Sequence, residues 1–124
     1  MIFANWIVGP HLIGVIFILA GLIQKRYPPK QINSLYGYRT TRSMKDQQNW
    51  DEGNRYSTKL MMKCGLVLAI AGIILTGGMM LLAISPEWRT GVKVVVMLLC
   101  AFGTVVILFR STEKHLKQQF SDTL

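Results

Sequence analysis

Apolar residues in this chain are gathered into three long blocks and are not interleaved with polar ones at the three- and four-residue spacings of a soluble helical core. The stretch 1–23 holds no acidic or basic residue, and neither does 64–84. Each approaches the ~20 residues that a helix needs to cross a ~30 Å hydrocarbon layer. A third block, 94–109, covers only about 24 Å at ~1.5 Å per residue. Its flanking Lys93 and Arg110 extend it by placing aliphatic stems in the boundary and charges at the headgroups. The pattern predicts an all-α integral membrane protein with three transmembrane helices. They occupy 1–24, 60–84 and 93–110, with a loop at 25–59, an external hairpin at 85–92 and a tail at 111–124.

The first block lacks the charged n-region and small-residue cleavage site of a secretory signal, so it reads as a retained span. Pro10 cannot donate to the carbonyl of Trp6, which predicts a kink or a locally loosened turn inside that span. Gly14 and Gly21, seven apart, suit the close approach of a second helix. In the loop, Pro28-Pro29 and the run 33–40 read as extended and turning. Ser43 with Asp46 resembles a capping box opening a helix over 44–59, in which Trp50, Gly53, Asn54 and Ser57 share one stripe. This amphipathic helix either leads straight into the second span or lies along the membrane surface.

Charge orients the predicted spans. Nine of the fourteen Lys and Arg lie between Lys25 and Lys63, three follow the last block, and only Arg89 and Lys93 lie between the second and third blocks. Cytoplasmic segments carry the basic excess, so the N-terminus is placed outside and the long loop and C-terminus inside the cytoplasmic membrane. The net charge of +8 then serves topology and contact with anionic membrane lipids, and no nucleic-acid partner is expected. Cys64 and Cys100 fall at different depths, which argues against a disulfide.

Enzyme signatures are missing from the sequence: no Gly-rich phosphate loop, no His pair at metal-ligand spacing and no serine elbow. Neither a cofactor nor a metal is expected, and Asp51, Glu52 and Arg39 are the only candidates for a reactive cluster. His115 reads as solvated surface. His11 sits within the first span, where a polar group needs a partner. Either it bonds across helices, with Thr76 or Thr104, or it serves ligand sensing or a proton-linked step. In the loop, Asn33, Gly37, Arg39, Thr40, Trp50, Asn54 and Arg55 are types that fix turns, clamp anions or anchor at interfaces, and Arg39 is placed to pair with Asp51 or Glu52. They either fold the loop or bind a ligand or partner.

The arrangement Asn33-x-x-x-Gly37-x-Arg39-Thr40, a polar spacer, then Trp50-x-x-x-Asn54-Arg55 before a hydrophobic span resembles the signature of the SdpI family of bacterial membrane proteins. The resemblance covers about residues 30–110. It departs in Thr41, where the family often has proline, and in the extra N-terminal spans of longer members. That family is named for an immunity protein that protects a toxin-producing cell from its own secreted peptide. The resemblance implies a short, single-module membrane protein conferring immunity to, or sensing, a membrane-active peptide toxin. A soluble cytoplasmic regulator and a homo-oligomer are further partners this reading accommodates. The alternative is a small oligomeric transporter or lipid-handling protein.

Overall fold

The computed structural model describes residues 7–82 and 85–120, at 86 the backbone only. Among the described residues the regular elements of more than one residue are three helices: α1 (Pro10–Arg26), α2 (Gln47–Leu81) and α3 (Pro86–Gln119). The last two are long and apolar enough to cross a membrane by length and composition. Their most apolar windows have mean hydropathies of 2.2 and 2.7, yet only 22% and 17% of those windows is buried inside the protein. A soluble core helix hides most of its apolar surface, whereas these helices direct theirs outward.

The disturbance expected at Pro10 takes the form of a break: helical backbone at Ile7 gives way to bends at Val8 and Gly9, and α1 begins at Pro10 with Gly9 as its N-cap. A proline at the first helical position lacks an N–H that would have no intrahelical acceptor anyway. Residues 1–6 of the expected first span lie outside the described residues. At the other end Lys25 and Arg26 occupy the last turn, where cations complement the helix dipole. Pro28-Pro29 follows, and the helix cannot continue.

α2 is capped by Asp46, whose carboxylate accepts the amide of Asn49 at 2.8 Å. The capping box expected from Ser43 is not formed, because Ser43 is held in a turn with Thr40. From Gln47 the helix runs unbroken for 35 residues, about 52 Å at ~1.5 Å per residue. The amphipathic segment and the apolar block are therefore one rod. α3 likewise exceeds its apolar block. Pro86 opens the helix, so most of the predicted hairpin is helical, and the helix passes Arg110 to end at Gln119.

α1 and α2 pack at backbone distance. A Cβ placed on Gly14 would lie 2.5 Å from the Gly65 carbonyl oxygen and 2.5 Å from the Ala69 nitrogen, and one on Gly72 would collide with the backbone of His11. Small residues at such crossings let dispersion contacts and backbone proximity replace a hydrophobic drive that lipid does not supply. Gly77, Gly78, Gly91 and Gly103 meet nothing within 4 Å.

Candidate functional site

The best-buried part of the chain is the contact between the 27–46 loop, the first turns of α2 and the last turns of α3. Five of the six side chains with no more than a trace of exposure lie here: Ser43, Trp50, Ser57, Thr112 and Leu116. The stripe Trp50, Gly53, Asn54 and Ser57 forms the buried face of α2 and receives the loop.

Asn54 is the keystone. Its side-chain carbonyl accepts the Tyr38 amide at 2.6 Å, and its NH2 donates to the Trp50 carbonyl at 2.9 Å. One amide thus ties the loop to the helix and uses both ends of its donor–acceptor pair in a dry environment, where an unpaired polar group costs about 1–3 kcal/mol. Gly37 makes that approach feasible. It holds φ 107, and a Cβ there would stand 2.5 Å from Asn54 Oδ1. Trp50 is fully buried and its indole N–H donates to the Pro29 carbonyl at 2.6 Å, which secures the start of the loop. Asn33 closes a local turn, accepting the amides of Leu35 at 2.9 Å and Tyr36 at 2.7 Å.

From the other side the loop is held by Glu113 of α3. Its Oε2 accepts the Tyr38 hydroxyl at 2.7 Å and the Thr40 hydroxyl at 2.8 Å, while Arg42 stands 3.7 Å from Oε1. Burial, reinforced by this bond to a carboxylate, pushes the Tyr38 phenol well above its ordinary range, so it stays a proton donor. Tyr38 also packs against the ring of Phe109 at 5.4 Å. Thr40 and Ser43 lock their own turn: the Thr40 amide donates to Ser43 Oγ at 2.8 Å, and Ser43 Oγ donates to the Tyr38 carbonyl at 3.0 Å.

Arg39 does not pair with Asp51 or Glu52; its guanidinium donates to the Ser34 carbonyl at 2.5 Å and stabilises the extended arm. Glu52 bonds Arg55 one turn on and His115 of α3, each at 2.5 Å. The Arg55 bonds, aided by His115, hold the Glu52 carboxyl down at about 2. His115 is not solvated surface. Its ring stacks on Tyr56 at a centroid distance of 4.2 Å and a 13° tilt, joining α3 to α2 a second time.

Of the candidates from sequence, Gly37, Thr40, Trp50 and Asn54 fall into this one clamp, Asn33 and Arg39 brace the loop by bonds within it, and Arg55 lies at the clamp's edge. His11 does not join them. It sits at the opposite end of α1, about 22 Å from Arg26 at ~1.5 Å per residue, buried against Gly72 of α2. The bond expected between His11 and Thr76 is not formed, since the buried Thr76 hydroxyl has no hydrogen bond among the described residues. Tyr38, Ser43, Glu113 and His115 were not legible as members. Among the described residues no three His, Cys, Asp or Glu side chains group as metal ligands would, and Cys64 and Cys100 are free thiols.

The clamp is built from the residues that carry the family pattern, and comparison with known proteins agrees. The model of the SdpI/YfhL protein family matches residues 30–110. The chain is also 44% identical over 104 residues to the uncharacterized protein YfhL of Bacillus subtilis (strain 168), a match covering 84% of this chain and 82% of that one. No solved structure matches it. The chain belongs to the SdpI/YfhL family.

Proposed function

We propose that this is a multi-pass protein of the bacterial cytoplasmic membrane that protects the cell from a secreted membrane-active peptide, by binding the peptide or sensing its arrival. Three spans carry it, with the N-terminus outside and the loop clamp and C-terminus inside. It is not an enzyme. Family membership and the basic loop support this reading. The observation that carries it is the mechanical continuity of α2. One unbroken helix bears an exposed apolar surface at one end and the keystone Asn54 at the other. A peptide that displaces the apolar half must therefore load the clamp, and a cytoplasmic regulator would read the clamp's face.

The test is expression in a sensitive bacterial host challenged with a panel of secreted membrane-active peptides. Survival against at least one peptide is the expected result, abolished by Asn54→Ala at equal protein level. Unchanged killing by every peptide contradicts the immunity reading. Reporter fusions at the loop and the C-terminus, both active only on the cytoplasmic side, test the topology.

A further inference from the structure

A groove of about 620 Å³ opens beside the clamp, between the end of α1, the start of the loop and the middle of α2. Its rim carries Lys25, Lys30, Arg55, Lys59 and Lys63 against a single carboxylate, Asp51. Asp51 is engaged by Gln47 at 2.8 Å, and Arg55 leans on Glu52. Among the described residues none of the four lysines forms an ion pair. The remaining walls are shared between apolar Pro28, Pro29 and Met62 and polar Gln24, Asn54 and Thr58.

What lies next to the groove decides which anion suits it. On α2 the positions 55, 59, 62 and 63 continue at helical spacing into 66, 70 and 73, so they share one face. Leu66, Ile70 and Ile73 are each more than half exposed. A single helix face therefore passes from cations through a methionine to bare apolar ridge. A soluble phosphate compound would use only the first part. A phospholipid uses both, with its phosphate at the lysines and an acyl chain along the ridge.

We propose that this groove is a binding site for one anionic phospholipid of the cytoplasmic leaflet, its phosphate held by Lys25, Lys59 and Lys63. The site rests on the membrane placement above and is independent of the peptide reading, because its test contains no peptide. Lysine suits it as a strongly hydrated point charge on a flexible stem that follows a mobile headgroup.

The full chain, purified in mild detergent, is to be examined by native mass spectrometry after equilibration with phosphatidylglycerol or phosphatidylcholine. The same measurement is made on Lys59→Gln/Lys63→Gln and on Lys114→Gln/Lys117→Gln, which removes equal charge from α3 outside the groove. One phosphatidylglycerol should be retained in preference to phosphatidylcholine. The groove variant should bind it about tenfold more weakly or worse, and the α3 variant should match the parent. Glutamine at exposed helical positions preserves folding, checked by helical circular dichroism. Equal weakening by both variants, or no preference for the anionic lipid, overturns the proposal. So does displacement of the lipid by inorganic phosphate or glycerol 3-phosphate at comparable concentration, which would assign the groove to a soluble anion.

Discussion

The two ends of α2 reach stability by opposite means. At the loop end, polar residues make a small core in which Asn54, Tyr38, Thr40, Ser43 and Glu113 bond one another around Trp50, with the buried Thr112 hydroxyl left without a hydrogen bond among the described residues. Along the apolar half the helices touch through glycine and leave large side chains facing out, among them Val67, Ile74, Leu99 and Phe102. Water is the competitor at the first end, so each buried polar group must find a partner or lose about 1–3 kcal/mol. Lipid is the competitor at the second, where burying leucine against leucine gains little and close backbone approach takes over. Hydrophobicity therefore locates the spans of this protein, but it does not locate its core.

Trp50→Ala attacks the first region most severely. It removes the largest buried side chain and strands the Pro29 carbonyl, so a loss of about 3–5 kcal/mol is expected. Detergent-solubilised thermal denaturation measures it, and a change below 1 kcal/mol would break the comparison. Next come the glycines, where one substitution should have opposite signs along the same bundle. Gly14→Ala drives a methyl into the Gly65 carbonyl and should cost about 1–3 kcal/mol. Gly77→Ala meets open space in a helix and should stabilise by up to about 1 kcal/mol. Equal effects at the two positions would show that the backbone contact of α1 with α2 is not a determinant of stability.

The smallest effect is electrostatic. Folding holds the Glu52 carboxyl at about 2 instead of the ordinary 4.5, so its contribution is complete above pH 4.5 and fades as pH falls towards 2. The pair with Arg55 is solvent-facing, which limits the gain to about 0.2–1 kcal/mol. The melting-temperature difference between the parent and Glu52→Gln should therefore shrink on acidification from pH 6 to pH 3. A difference constant over that range would remove the ion pair from the account.

Sequence reading recovered the helical class, the two long apolar helices and most of the loop's clamp residues, because these are local signals. An apolar run, a Gly at a tight turn and a Trp–Asn stripe each lie within a few residues of their cause. It could not recover the other side of the clamp. Glu113 meets Tyr38 across 75 positions and His115 meets Glu52 across 63, and no local spacing marks such partners. His115 looked solvated because it follows the apolar block, and its partners exist only once α3 continues helically beyond Arg110. Pro10 shows a local signal at work: the helical backbone is interrupted at Val8 and Gly9, just before the residue that cannot donate to an intrahelical bond.

The central claim is that Thr40, Trp50 and Asn54 of the family's motif, with Gly37 allowing the close approach, hold the loop onto α2 and α3. The amide of Tyr38 reports this directly, since its acceptor is the Asn54 side chain. Hydrogen exchange of the full chain in a lipid bilayer should find that amide protected in the parent and exchanging about ten- to a hundredfold faster in Asn54→Ala, from the ~1–3 kcal/mol of a lost buried bond. Amides of the apolar half of α2 should keep their parent rates. Rapid exchange at Tyr38 in the parent, or the same rate in both proteins, would contradict the clamp.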